Sequence, residues 1–221
     1  MDDAYEKIAL YVERGKINKS SPFPPDLKGR EGADEITKAA LEKGMAPGLI
    51  LEACMKGMNN IGQKFGQNKV FVPDLLMAAK AMTASMKHLK PYFDSGEAQH
   101  KGIFVVGTVQ GDLHDIGKNL VAMMMKGAGF QVIDLGVDVS PDKFAAEAKA
   151  KGVNLIGMSA LLTTTMPGME KTIKALRQAG VTAKVMVGGA PVTQSFADKI
   201  GAHGYAPDAA SAVDTAKKLV A

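Results

Sequence analysis

The chain of 221 residues has one cysteine, no tryptophan and few aromatic side chains, which make up 5% of its residues. A lone cysteine, Cys54, excludes a disulfide within the chain and is typical of a protein in a reducing compartment. No apolar run approaches the length of a membrane-spanning helix, and the amino-terminal stretch MDDAYEKIAL lacks the basic and then apolar pattern of a secretory signal. The sequence therefore predicts a cytoplasmic protein that does not enter a membrane.

An excess of one charge is also missing, since 27 Lys and Arg residues stand against 23 Asp and Glu residues, for a net charge of +4. The basic side chains are interspersed with acidic ones, and there is no aromatic platform on which nucleic-acid bases would stack. The composition argues against a nucleic-acid partner. What the chain has in quantity is apolar residues, at 46%, which suffice for one large core or two small ones.

Residues 1–94 have the apolar periodicity of helices. Apolar side chains recur at spacings of three and four around Ile8, and again along residues 50–65 and 75–93. A proline-rich stretch, residues 18–32, interrupts the pattern after the first helix. Four helices with short connections predict a small bundle.

The pattern changes after a polar stretch, residues 95–101, which is the predicted linker. Along residues 102–221, apolar runs alternate with amphipathic segments in five β–α units. Nearly continuous apolar strands are typical of a parallel sheet covered by helices on both faces. The sequence thus predicts an α/β chain with a four-helix bundle domain over 1–94 and a Rossmann-like, flavodoxin-like domain over 102–221. This second domain contains a doubly wound, five-stranded parallel sheet.

Polar or glycine-rich stretches follow four of the predicted strands. They are GTVQGDLHDIG (107–117), SALLTTT (159–165), GGAP (188–191) and YAPDA (205–209). Because the carboxyl ends of parallel strands meet at one edge of the sheet, where ligands bind in such folds, we expect a ligand site there. His114 belongs to that site.

His114 and Asp112 are the residues best suited to chemistry at this edge. An imidazole nitrogen can bind a metal or a proton, and a carboxylate two residues away can accept the other ring N–H and fix the tautomer. In the alternative interpretation, Asp112 or Asp115 caps the next helix and His114 is merely exposed. The remaining histidines and Cys54 form no ligand cluster with His114, which argues against a zinc site.

Hydroxyl groups and glycines follow the third and fourth strands. Ser159 and the threonines at 163–165 can bond an amide, a phosphate or Asp112, or can cap the next helix. Gly188 and Gly189 permit a flat group to approach the backbone, or form a simple turn. The nucleotide-binding patterns G-x-G-x-x-G and G-x-x-x-x-G-K-[ST] are absent from their expected places.

Together these residues resemble the cobalamin-binding signature of methionine synthase and of the mutases. The pattern is Asp112-x-His114-x-x-Gly117, 41 intervening residues, Ser159-x-Leu161, 26 more, and then Gly188-Gly189. Residues 62–82 resemble the helical cap that precedes this domain in methionine synthase and in stand-alone corrinoid proteins. Over residues 33–221, the chain is similar to the corrinoid proteins of anaerobic methyltransferase systems, which serve methylamines, methanol, betaines or methoxylated aromatics. The proline-rich stretch departs from the continuous helix of that family.

The resemblance implies a role for each residue near the cobalt. His114 would replace the cofactor's own dimethylbenzimidazole as the lower axial ligand, Asp112 would accept its N–H, and Thr165 would complete the proton relay. The corrin edge would meet the backbone at Asp115, Ile116 and Gly117.

The resemblance also implies where the rest of the cofactor lies. Its nucleotide tail would occupy a slot that involves Ser159, Leu161, Thr163, Gly188 and Gly189. On the opposite face of the corrin, Phe65 and Val72, with Leu75 nearby, would shield the methyl group. From periodicity alone, Phe65 and Leu75 are simply core positions of a bundle.

The implied function is that of a methyl carrier rather than a self-sufficient enzyme. Cob(I)alamin would accept a methyl group from a substrate:corrinoid methyltransferase, and a corrinoid:acceptor methyltransferase would pass it to tetrahydrofolate or a thiol. A reductive activase would be a third partner, and the linker would act as a hinge for the cap. The alternatives are a cobalamin-binding sensor, which would need a DNA-binding domain, a mutase subunit, which would need a large barrel partner, and a cofactor-free flavodoxin-like protein.

Overall fold

A computed structural model describes residues 3–96 and 99–221 of the chain. The chain divides into two compact units. A helical unit comprises residues up to His100 together with Gly127–Gly129, and a sheet unit comprises Lys101–Lys126 and Phe130–Ala221. The predicted linker, 95–101, includes residues 97 and 98, which lie outside the described residues.

Four α-helices form the described part of the helical unit, as predicted: α1 (Asp3–Glu13), α2 (Ala33–Glu42), α3 (Pro47–Gly66) and α4 (Val72–Asp94). Prolines occupy the first turns of α3 and α4. Backbone N–H groups in a first turn have no acceptor within the helix, so the N–H that proline lacks costs no hydrogen bond there. Helix α1 packs against α3, and a Cβ at Gly57 would lie 2.4 Å from the carbonyl oxygen of Ala9. Glycine therefore permits this close helix pair.

The proline-rich stretch is irregular, as predicted, apart from one 3₁₀ turn at Pro25–Leu27. Arg14 pairs with Asp26 through two contacts of 2.9 Å. The fully buried Lys16 donates from Nζ to the carbonyl of Ser21 at 3.0 Å. These bonds tie the stretch back to the end of α1.

Among the described residues, no helix combines the length and the apolar character that a membrane crossing requires.

The described part of the sheet unit contains five parallel strands, which confirms the predicted architecture. The strands are β1 (Ile103–Thr108), β2 (Gln131–Asp134), β3 (Leu155–Ser159), β4 (Lys184–Gly188) and β5 (Gly204–Ala206). The helices are α5 (Ile116–Gly127), α6 (Pro141–Ala150), α7 (Pro167–Gln178), α8 (Gln194–Ile200) and α9 (Ala209–Val220). The strands lie in the order β2-β1-β3-β4-β5.

The core of the sheet unit lies on the central strands. Residues 104–108 of β1 are all buried, as expected for a parallel strand with helices on both faces. At Gly157 in β3, a Cβ would lie 2.5 Å from the ring of Phe104, so glycine makes room for that aromatic side chain. Because the chain moves from β1 to β2 on one side and then to β3 on the other, the loops after β1 and β3 diverge. Such a switch point is where ligands bind in doubly wound sheets.

Candidate functional site

The loop between β1 and α5 carries Asp112 and His114. It begins with a tight turn in which the N–H of Asp112 donates to the carbonyl of Val109 at 3.0 Å. Gly111 has φ +85°, the positive value that this type of turn requires at its third residue. The turn directs Asp112 into the protein, where it is fully buried. The His114 side chain is 48% exposed.

Four hydrogen bonds converge on the Asp112 carboxylate. Oδ2 accepts the backbone N–H of Leu161 and the hydroxyl of Thr165, both at 2.7 Å. Oδ1 accepts the backbone N–H of His114 at 3.0 Å and contacts its Nδ1 at 2.9 Å. Burial raises the pKa of Asp112, but the bonds from Thr165, His114 and Leu161 outweigh burial and hold that pKa well below its ordinary value. The carboxylate is therefore ionised at neutral pH.

The ionised carboxylate fixes the tautomer of His114. Because Asp112 can only accept, Nδ1 carries the ring proton in the neutral imidazole, and Nε2 presents its lone pair. Nδ1 makes the contact with Asp112 at 2.9 Å, and the described residues offer no hydrogen bond to Nε2. A half-exposed imidazole in this state is a ready ligand for a metal or a proton.

Helix capping does not explain Asp112 or Thr165. Both Asp112 oxygens are occupied by His114 and by the loop after β3. The N-cap position of α7 belongs to Met166 and has no side-chain cap, while the Thr165 hydroxyl also reaches the carbonyl of Leu162 at 2.9 Å. Asp115 precedes α5, and its carboxylate accepts from the Asn119 amide at 2.9 Å. The interpretation of Asp112 as a cap is wrong.

Large apolar side chains are exposed in the loops at this edge of the sheet. They are Leu113 (68% exposed), Ile116 (78%), Val137 (39%), Leu161 (43%) and Leu162 (43%). Grouped apolar exposure around a polar network marks a surface that a ligand covers. Ile116 and Leu161 were among the predicted site residues. Leu113, Val137 and Leu162 were not, because a single apolar residue in a loop carries no periodic signal.

The three glycines of the sequence pattern differ in what requires them. A Cβ at Gly189, where φ is +125°, would lie 1.9 Å from the carbonyl oxygen of Ala160, and one at Gly188 would lie 2.8 Å from that of Ala206. The packing of the chain itself therefore needs both of these glycines. A Cβ at Gly117 would have no atom within 4 Å, so the space beside the first turn of α5 is open to a bound group.

The remaining predicted residues of the sheet unit also lie at this edge. Ser159 ends β3 beside Gly188 in the sheet register, and it is half-buried. Thr163 is exposed in the loop after β3. Neither hydroxyl is bonded to a side chain or backbone group among the described residues, so both are available to a ligand.

The predicted shielding residues lie in the helical unit. Val72, at the start of α4, is 38% exposed, and Phe65, near the end of α3, is half-buried. Phe71 (73% exposed) and Leu76 (40%) are also exposed near the start of α4, although the sequence did not single them out. Leu75 is fully buried, so its side chain packs the bundle and offers no surface to a ligand.

Lys118, which was not among the predicted site residues, is only 2% exposed. Its Nζ lies 2.6 and 2.7 Å from the two carboxylate oxygens of Asp134 and 2.7 Å from Oδ1 of Asn119. The pair joins the first turn of α5 to the end of β2, next to Gly117. Both residues lie inside predicted elements, but their pairing depends on which strands are neighbours in the sheet, which the sequence does not show.

Comparison with known proteins agrees with this geometry. Residues 102–214 match a family described as a B12 binding domain, and residues 29–90 match a second family of the same description. Dimethylamine corrinoid protein 1 of Methanosarcina acetivorans is 47% identical over 190 residues, which cover 83% of this chain and 89% of the relative. The trimethylamine corrinoid protein of Methanosarcina barkeri is 43% identical over 192 residues, which cover 85% of this chain and 88% of the relative.

Solved structures agree as well. The methanol:cobalamin methyltransferase complex MtaBC from Methanosarcina barkeri contains a chain with 28% identity and a TM-score of 0.82, covering 99% of this chain and 80% of that one. A cobalamin-binding protein from Desulfitobacterium hafniense has 28% identity and a TM-score of 0.75, with 98% of both chains covered. With its whole architecture matched and its relatives aligned over most of their length, this chain belongs to the cobalamin-binding corrinoid proteins of methyltransferase systems.

Proposed function

We propose that this chain carries methyl groups from a methylamine-specific methyltransferase to a second methyltransferase, with His114 as the lower ligand of its cobalamin. One observation carries the proposal: a buried, ionised Asp112 holds Nδ1 of His114 at 2.9 Å and leaves Nε2 free. The similar proteins named above are corrinoid and cobalamin-binding proteins, which favours a carrier over a sensor or a mutase subunit.

The residues at the sheet edge fit a corrin. The Nε2 lone pair of His114 suits cobalt, exposed apolar side chains lie in the loops at the same edge, and Gly117 leaves open space at the start of α5. The free hydroxyls of Ser159 and Thr163 can bond a polar tail. Gly188 and Gly189 keep the backbone of this region close-packed against the neighbouring loops.

The cofactor supplies the chemistry, since its cobalt accepts and gives up the methyl group. The chain supplies orientation and a place for a proton. Asp112 keeps the proton of His114 on Nδ1 while Nε2 serves as ligand. Whenever Nε2 had no metal, it would be the ring nitrogen open to a proton, and the Asp112 carboxylate, held by Thr165 and Leu161, would stay bonded at Nδ1.

Dimethylamine is the proposed methyl source. Two relatives named dimethylamine corrinoid proteins are 47% and 48% identical to this chain, against 43% for the trimethylamine relative. The proposed partners are a substrate:corrinoid methyltransferase, a corrinoid:acceptor methyltransferase that serves tetrahydrofolate or a thiol, and a reductive activase. The cytoplasm is the proposed compartment, supported by the single Cys54, which is buried and unpaired.

Reconstitution with hydroxocobalamin tests the proposal. We expect the native chain to retain the cofactor after gel filtration and to show the visible spectrum of a histidine-ligated corrinoid. His114→Ala should show a changed spectrum because it removes the ligand nitrogen. His88→Ala is the matched control, since His88 is a second partly exposed histidine paired with an aspartate, Asp34, at 2.6 Å.

The outcomes distinguish failure of the carrier function from failure of the ligand role of His114. If the native chain retains no corrinoid, the carrier function is wrong. If it retains corrinoid but His114→Ala and the native chain have the same spectrum, the site binds cobalamin without His114 as a ligand. A changed spectrum in His114→Ala with an unchanged one in His88→Ala supports the assignment.

A further inference from the structure

Asp138, in the loop between β2 and α6, forms hydrogen bonds with the loop that carries His114. The Asp138 carboxylate accepts the N–H of Gly111 at 2.6 Å. Its own N–H points at the carbonyl of Asp112, at 3.0 Å, and at the hydroxyl of Thr108, at 2.9 Å. Thr108, fully buried at the end of β1, donates that hydroxyl to the same Asp112 carbonyl at 2.5 Å. These bonds fasten the backbone of the turn just before His114.

The backbone conformation of Asp138 indicates that its carboxylate matters. Its φ is +53°, a left-handed value that costs free energy for any residue with a Cβ and is tolerated best by Asn and Asp. A glycine would adopt this φ without strain. What the aspartate adds at this position is therefore an acceptor for the N–H of Gly111.

Asp112 is thus held from both neighbouring strands. The loop after β3 fixes its carboxylate through Leu161 and Thr165, while Asp138 and Thr108 fix its backbone from the side of β2 and β1. The His114 ring has Asp112 as its hydrogen-bond partner among the described residues. Bonds to the Asp112 carboxylate alone would not stop that side chain from moving with its backbone. The position of the His114 ring therefore depends both on the contacts to the carboxylate and on those to the backbone.

We infer that Asp138 and Thr108 are positioning residues for His114, an inference that rests on the proposed role of His114 as lower ligand. They hold the backbone of the turn, and with it the position from which Nε2 of His114 would reach a bound cobalt. Removing the Asp138 acceptor should therefore weaken ligation of the cobalt by His114, while the cofactor, held by its other contacts, remains bound.

The test compares Asp138→Gly, which suits the backbone but lacks the acceptor, with Asp138→Asn, which keeps an acceptor oxygen and tolerates the φ. Each is prepared with nitrogen-15 in all protein nitrogens, reconstituted with unlabelled cobalamin and reduced to the cob(II) state. Electron paramagnetic resonance then shows whether the axial nitrogen is nitrogen-15, from the protein, or nitrogen-14, from the cofactor's own base.

The measured quantity is the ratio of cobalt that has a protein nitrogen as its axial ligand to cobalt that does not. At equal corrinoid content, Asp138→Gly should lower this ratio by roughly fivefold to tenfold, which is the effect expected from the loss of one hydrogen bond. Asp138→Asn should keep most of the native ratio. A purely structural role would instead lower the amount of bound corrinoid and leave the ratio unchanged. An unchanged ratio in Asp138→Gly would overturn the inference.

A second pair keeps the test decisive if Asp138→Gly does not fold. Thr108→Val removes the hydroxyl from the Asp112 carbonyl, and Thr108→Ser retains it. A lowered ratio in the valine variant that serine restores supports the inference, and equal ratios in both contradict it. If the native chain itself shows no protein nitrogen on cobalt, the proposed role of His114 fails first, and the inference falls with it.

Discussion

At the scale of the residue, the Asp112 carboxylate determines what His114 can do. It is buried, ionised and saturated with donors from two loops, so it accepts the Nδ1 proton and cannot turn away to solvent. Exposed Asp–His pairs without such support are held weakly. The orientation of His114 therefore depends on the bonds that Leu161 and Thr165 donate to Asp112.

Acid should destabilise the native protein partly through Asp112. Because the folded-state pKa of this carboxyl lies below its ordinary value, its contribution is complete above the unfolded-state pKa, about 3.9. The contribution is lost as the pH falls below that value toward the folded-state pKa. Urea unfolding can measure the free energy of unfolding from about pH 6 down to about pH 3. As the pH falls, this free energy should decrease more steeply for the native chain than for Asp112→Asn, by up to about 1.4 kcal/mol per pH unit. Parallel slopes would contradict this account.

The sequence predicted the neighbours of Asp112 but not all of its supports. Parallel strands bring their carboxyl ends together, which predicted that the loops after β1 and β3 lie side by side and that His114 belongs to this edge. The choice of Thr165 among the hydroxyls after β3 came from the family resemblance. Asp138 was missed because neither its left-handed backbone nor its bond to Gly111 leaves a pattern in the sequence. Leu75 was expected near the cofactor, but the bundle buries it completely.

At the scale of the element, helix α5 and the loop after strand β4 need glycine for different reasons. Glycine at 189 is needed because the carbonyl of Ala160 occupies the space that a side chain would take, whereas the space beside Gly117 is open. The two positions should therefore respond in opposite ways to the same substitution.

Gly117→Ala should leave the cofactor-free protein as stable as the native chain or more stable, by up to about 1 kcal/mol, because alanine favours the helix. It should weaken cobalamin binding, because the new methyl group occupies space that the corrin edge needs. Gly189→Ala should destabilise the protein itself by about 3 kcal/mol or more, since its backbone conformation and its contact with Ala160 both reject a Cβ. Urea unfolding without cofactor and titration with hydroxocobalamin separate the two effects. Equal cobalamin affinity in Gly117→Ala would show that the space beside α5 is not used.

The elements themselves were largely predictable. The amphipathic pattern of segments 115–127, 141–151 and 166–179 predicts helices. These segments correspond to α5 (Ile116–Gly127), α6 (Pro141–Ala150) and α7 (Pro167–Gln178). Strong periodicity and flanking glycines or prolines mark such boundaries well. The pairing of Lys118 with Asp134 was not predictable, because it requires the order of the strands in the sheet.

At the scale of the whole molecule, a helical unit and a sheet unit each have their own core. In the sequence, the interval at which apolar residues recur changes near residue 100, because helical and strand patterns repeat at different intervals. The proposed choice of methyl donor belongs to this scale, since we expect it to depend on the surfaces that the chain presents to its partners rather than on His114, the proposed ligand.

Methyl transfer with purified partners tests the donor. The reduced, cobalamin-loaded chain should be methylated by dimethylamine in the presence of a dimethylamine:corrinoid methyltransferase from Methanosarcina. Methanol with its own methyltransferase should be at least tenfold slower, a difference of about 1.4 kcal/mol in transition-state free energy. Comparable rates with both donors would contradict the proposed specificity but not the carrier function. His114→Ala serves as the control for dependence on the lower ligand.

The most direct measurement is the identity of the axial nitrogen in the native, cobalamin-loaded chain. Protein labelled with nitrogen-15 is loaded with unlabelled cobalamin, reduced to the cob(II) state and examined by electron paramagnetic resonance. The account predicts the doublet splitting of a nitrogen-15 ligand in the native chain and its loss in His114→Ala. A triplet from nitrogen-14 in the native chain would show that the cofactor keeps its own base and that His114 is not the lower ligand.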